Sequence, residues 1–127
     1  MNLPVPARSG PVLAVALLIG GAFVHSPAPA RADEPKVAAG RQLAFEIAKG
    51  NCLACHQFPG DSGANTLANI GPPLLAIRSR FPDRALLRDR LWDPMQTNPN
   101  TVMPPYGKHR ILSRDEIELI IDYLYTQ

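Results

Sequence analysis

Apolar residues fall into blocks along the chain, and the spacing inside each block differs. Residues 12–24, VLAVALLIGGAFV, form an unbroken apolar run without a charge. Over residues 37–49 the pattern is periodic and predicts a helix. Ala39, Leu43 and Ile47 fall on one stripe, and Gly40, Ala44 and Ala48 on an adjacent stripe of small side chains that lets a second helix approach closely. Gly50 is expected to stop or kink this helix just before Cys52. Phe81-Pro82-Asp83 leads into a second helix body, Ala85 to Trp92, ended by Asp93-Pro94. The clearest periodicity is the last. Ile117, Ile120, Ile121 and Leu124 follow i, i+3, i+4, i+7, a helix with one buried face. Ser113 and Glu116 form a capping box ahead of it, Asp115 adds charge where the helix dipole favours it, and Leu112 and Ile117 are spaced as a hydrophobic staple.

The segments between these blocks read as loops. Residues 57–73 carry Pro59-Gly60, Asp61-Ser62-Gly63 and Gly71-Pro72-Pro73, and a short apolar piece follows from Leu74 to Ile77. Residues 94–107 hold Pro94, Pro99, Pro104, Pro105 and Gly107, an extended loop of a kind that is usually functional in a small domain. No run alternates as a strand would. The expected fold class is all-α with long proline-rich loops.

The first apolar run has the layout of a leader: Arg8 ahead of it, and a small-x-small site at Ala30-Arg31-Ala32 behind it. A run of this length falls short of the ~20 apolar residues that cross a bilayer. Residues 1–32 are therefore expected to be a cleaved signal peptide, with 33–127 as one domain; an uncleaved membrane anchor is the alternative. The absence of an Arg-Arg pair points to the export route for unfolded chains. No later apolar run is long enough to span a membrane. Arg8 and Arg31 belong to the leader, so the rest of the chain carries eleven basic and eleven acidic residues. A neutral domain is a poor binder of nucleic acid.

A domain of this size has a small core and commonly needs a staple. Cys52 and Cys55 are the two cysteines, and a bridge between them would close too short a loop to constrain much. They belong to Cys52-Leu53-Ala54-Cys55-His56, the attachment pattern of c-type haem. Two thiols add across the two vinyl groups of the ring, two intervening residues bring both sulfurs to one side of it, and the next residue projects His56 at the iron. A thioredoxin-type redox pair would need a βαβ setting. A tetrahedral zinc site would need two further good ligands, and His109 is the one other histidine or cysteine beyond the leader.

An electron-transfer haem needs a sixth ligand, for which Met95, Met103 and His109 are the candidates. Met103, followed by Pro104-Pro105, sits where a stiff loop can hold a thioether on iron. Met95 also lies in the loop, and His109 stands between Lys108 and Arg110 as a solvated residue would. A Met/His pair raises the reduction potential relative to two imidazoles. Arg78, Arg80, Arg84, Arg88 and Arg90 form a cluster that reads as a solvated helix face, or as partners for propionates or an acidic protein. Trp92 either packs in the core or reaches a propionate.

With the attachment motif, Gly71-Pro72-Pro73-Leu74 resembles the stretch that passes behind the proximal histidine of class I cytochromes c. The resemblance implies that fold, with helices packed around one covalently bound haem c. It implies a Pro72 carbonyl accepting the other imidazole N–H, and Leu74 against the porphyrin. It also implies terminal helices crossing with Gly40 against Tyr123. Together with Lys49 to His56, Asn69 to Leu74 and Asn98 to His109, the chain resembles the SoxX family, monohaem subunits of the SoxAX complexes of bacterial sulfur oxidation. That resemblance implies Met103 as the sixth ligand, a periplasmic location and a heterodimer with a SoxA-like c-type cytochrome. It further implies a SoxYZ-like carrier whose cysteine is coupled oxidatively to thiosulfate, and a downstream cytochrome as electron acceptor. The chain alone would be an electron carrier, and with SoxA a subunit of an L-cysteine S-thiosulfotransferase. The alternative is a free soluble cytochrome c running between a periplasmic dehydrogenase and a terminal oxidase. Leu53, Phe58, Pro104, Pro105 and Tyr106 are the sequence's candidates for an apolar partner patch.

Overall fold

The computed structural model describes residues 33–127, and the expected leader at 1–32 lies outside them. Among the described residues there are four α-helices and no strand: α1 Glu34–Phe45, α2 Ile77–Arg80, α3 Arg84–Trp92 and α4 Arg114–Leu124. Two 3-10 turns, Cys52–Ala54 and Pro94–Gln96, interrupt the connecting segments. The all-α expectation is met. No helix among the described residues is long and apolar enough to cross a membrane.

The fold is organised by α1 against α4. Gly40 and Ala44 are buried on the face of α1 that meets α4. A Cβ at Gly40 would lie 1.9 Å from the Leu119 carbonyl oxygen and 3.1 Å from Tyr123 Cβ, so only glycine permits this approach. The expected pairing of Gly40 with Tyr123 is therefore present. On α4, Ile117, Ile120, Ile121, Tyr123 and Leu124 are buried, and Ser113 and Glu116 make the full capping box. Phe58 stacks on Tyr123 at 5.8 Å, and Phe45 meets both rings edge-on at 5.2 and 5.7 Å.

The first helix differs from its sequence pattern. It ends at Phe45, where Glu46 is extended, rather than running to Lys49. Of the small stripe Gly40 and Ala44 are buried and Ala48 is exposed, and Ile47 is 84% exposed. Gly50 does not terminate the helix but packs under it. A Cβ there would come within 2.9 Å of Ala44 Cα. Of the apolar piece Leu74 to Ile77, Ile77 alone is fully buried and opens α2, while Leu75 is 52% exposed. α3 begins as expected, with the Asp83 side chain accepting from Ala85 N.

Candidate haem site

The attachment motif is wound by its own backbone. Asn51 takes a left-handed conformation (φ 44°) and starts the 3-10 turn. His56 N then donates to Cys52 O at 2.9 Å, closing a helical turn over the two cysteines. Cys52, Cys55 and His56 all line one cavity of about 840 Å³, within the ~300–1,000 Å³ of ordinary ligand pockets. Burial pushes the Cys52 thiol up to about 12. Thiol–disulfide exchange needs a thiolate, so this is poor chemistry for a redox pair. Among the described residues no three His, Cys, Asp or Glu side chains are grouped to hold a metal ion, which leaves the zinc reading without ligands.

His56 is fixed from behind. Its Nδ1 lies 2.7 Å from the Pro72 carbonyl oxygen. A carbonyl can only accept, so Nδ1 carries the proton and the Nε2 lone pair is left for a metal. The segment supplying that carbonyl is pinned on both sides. Gly71 N donates to Cys55 O and Leu74 N to Gln57 O, each at 2.8 Å. Glycine is required beside the ring, because a Cβ at Gly71 would sit 2.3 Å from His56 Cε1. Leu74, half-buried, lines the cavity.

Met103 comes from the proline-rich loop, half-buried on the same cavity wall, with its amide donating to Thr101 Oγ1 at 3.1 Å. Met95 belongs to the Pro94–Gln96 turn, is 44% exposed and does not line the cavity. His109 is exposed and likewise lies off the wall. Of the three sixth-ligand candidates, the loop presents Met103 alone to the cavity that His56 faces. Two thiols, one imidazole with its tautomer set and one thioether on a largely apolar cavity suit a haem well. Haem would supply one-electron chemistry when bound; the two thiols stand where they could attach it, the Pro72 carbonyl orients the imidazole, and the apolar wall would keep water from the ring.

The arginine cluster divides. Arg84 pairs with Glu118 and Asp122, both at 2.6 Å, and Arg88 also pairs with Glu118, so this part joins α3 to α4 rather than forming a solvated face. Arg78 lies over the Tyr125 ring. Arg80 and Arg90 alone reach the cavity, and Arg80 donates to the Pro73 carbonyl at 3.1 Å. Trp92 does not face the cavity; it packs on Gly107 and under Arg114. The expected apolar patch is also rearranged. Phe58, Pro105 and Tyr106 are buried and Leu53 is half-buried, while Pro104 is exposed on the cavity wall as expected; Ile47, Ile70 and Val102, which the sequence did not single out for a patch, are also exposed around the cavity mouth. For Ile70 and Val102 the signal was an apolar residue within a loop flanking a predicted ligand segment; Ile47 was hidden by the helical period that runs through it.

Residues 36–124 match the family described as cytochrome c oxidase, cbb3-type, subunit III. Over 77 residues, 61% of this chain, the sequence is 35% identical to an uncharacterized lipoprotein of Aquifex aeolicus (strain VF5). That alignment takes in 36% of the relative, so the chain spans about a third of the length of the curated protein it matches. The family match runs from the first turn of α1 to the last residue of α4 and takes in every helix of the described residues. The chain belongs to that family: it is a c-type cytochrome domain, which implies haem c and electron transfer.

Proposed function

We propose that the chain carries one haem, attached through thioethers to Cys52 and Cys55 and ligated by His56 and Met103, and that it passes electrons outside the cytoplasm after removal of residues 1–32. The observation that carries this reading is the bond between His56 Nδ1 and the Pro72 carbonyl, with Met103 on the wall of the same cavity. The test is a haem stain on a denaturing gel with the intact mass of the exported protein. One haem mass added to residues 33–127 is expected. A haem lost on denaturation would refute covalent attachment.

At the finer level the chain is read as the electron-transfer subunit of a SoxAX complex. Its support is the Asn98 to His109 segment with its double proline, and the exposure of Ile47, Ile70 and Val102 at the cavity mouth, since permanent interfaces are apolar. The family match favours a second reading, an electron donor working with a terminal oxidase. Co-expression with the SoxA-like protein of the same genome, followed by size-exclusion chromatography, separates them. One-to-one co-elution and thiosulfate-dependent haem reduction in the presence of the carrier protein support SoxAX. A chain that elutes alone, from a gene neighbourhood encoding an oxidase and no sulfur-oxidation proteins, favours the second.

A further inference from the structure

Tyr106 is buried, lines the cavity, and donates its hydroxyl proton to the Gly50 carbonyl oxygen at 2.7 Å. The two residues are 56 positions apart, and they belong to the two segments that carry the haem ligands. Tyr106 stands three residues after Met103, and Gly50 two residues before Cys52. Among the described residues this is the one hydrogen bond between residues 46–56 and residues 94–112. Both ends are anchored elsewhere. Tyr106 O accepts from Ile111 N and Leu112 N, and Gly50 N donates to Leu43 O at the end of α1. The hydroxyl therefore sets the spacing between the methionine loop and the motif against fixed points on each side.

We propose that Tyr106 is the positioning residue for the sixth ligand: through its bond to Gly50 it holds the Met103 loop against the cavity, so that the thioether competes with outside ligands for the iron. This rests on Met103 ligation as proposed above. Without the Tyr106 bond to Gly50 the loop's remaining bonds, Lys108 N to Trp92 O and Ile111 N and Leu112 N to Tyr106 O among them, tie it to its own flanks and none ties it to the motif.

The test uses the holoprotein in its oxidised form and reads the affinity for added imidazole, which displaces the thioether. Tyr106→Phe removes one oxygen and leaves the Gly50 carbonyl without its buried donor. Imidazole is expected to bind about tenfold tighter, the equivalent of one such bond at ~1.4 kcal/mol. Tyr125→Phe is the control, because Tyr125 makes the same kind of bond, to the Phe81 carbonyl at 2.9 Å, away from the ligand segments. It should cost stability and leave imidazole affinity unchanged. Equal affinities in Tyr106→Phe and wild type, or equal tightening in both variants, would overturn the proposal. A second measurement covers a Tyr106→Phe chain that loads no haem. Coupling is reciprocal, so in Met103→Ala holoprotein the Tyr106 hydroxyl proton should exchange with solvent faster than in wild type; equal rates overturn the proposal. A wild-type protein lacking the sulfur-to-iron absorption band would instead refute Met103 ligation itself, and the inference with it.

Discussion

One backbone carbonyl decides what the proximal imidazole can do. Because Pro72 O accepts from Nδ1 at 2.7 Å, the ring is held in one orientation with Nε2 left available. Gly71→Ala would drive a methyl into the ring. The expected outcome is loss of histidine ligation or of haem loading, seen as a changed haem spectrum and a lower haem-to-protein ratio. At the sixth position, Met103→Ala should abolish the weak sulfur-to-iron band of the oxidised form and Met95→Ala should spare it; the reverse would reassign the ligand. The sequence makes these residues legible because the motif has fixed local spacing and the prolines mark the loops. Tyr106 is not legible in that way, since its partner is 56 residues away and nothing local identifies it.

Asp61 is a second residue that sequence reading treats as a mere turn former. Arg41 Nε donates to it at 2.5 Å, the Tyr123 hydroxyl at 2.8 Å and the Gly63 amide at 2.9 Å. The Arg41 guanidinium, helped by Tyr123 and Gly63, lowers its carboxyl to about 2. The folded value lies below the ~3.9 of an unfolded Asp, so the stabilisation is complete above that value and is lost as pH falls through about 2. Asp61→Asn should therefore lose about 1–2 kcal/mol at neutral pH, allowing for the half-exposed guanidinium. It should also flatten the acid limb of the denaturation curve between pH ~4 and ~2. An unchanged acid limb would remove Asp61 as its source.

Among the elements, α1 and α4 carry the tightest constraint. Gly40→Ala places a methyl 1.9 Å from a backbone oxygen, which no side-chain rotation relieves. The helices must separate, and overpacking of this kind costs ~1–3 kcal/mol or more. Denaturant unfolding of the holoprotein should show it as a lower midpoint. Ser113→Ala removes half of the capping box and should cost ~1 kcal/mol without altering the haem spectrum. α4 was legible in full because its period, cap and staple agree with one another. The end of α1 was not, since the apolar period continues through Ile47 while tertiary packing uses the small stripe instead. The chain leaves the helix at Glu46 so that Gly50 can fold under Ala44 and deliver Cys52 to the cavity.

For the molecule as a whole, the apolar side chains do not all meet one another. Ile77 of α2, Leu87 and Leu91 of α3 and Leu124 of α4 turn part of their surface to the cavity of about 840 Å³. So do the motif and the methionine loop. The α1–α4 contact and the Phe45–Phe58–Tyr123 cluster lie off it, on the far side of one continuous buried core. A domain is held by a net ~5–15 kcal/mol, and cavity surface left to water removes burial that this balance needs. On the proposed attachment the haem completes the core, and its loading should decide whether the chain folds. Replacing both cysteines, Cys52→Ala with Cys55→Ala, should leave a chain with reduced helical signal, rapid proteolysis across residues 57–73 and 94–107, and no cooperative melt. α1 and α4 should be the last to give way, because their contact does not involve the cavity mouth. Hydrogen exchange resolves this. Residual protection confined to α1 and α4 is the expected pattern, whereas uniform native protection with a cooperative melt would show that the protein side chains alone make the core.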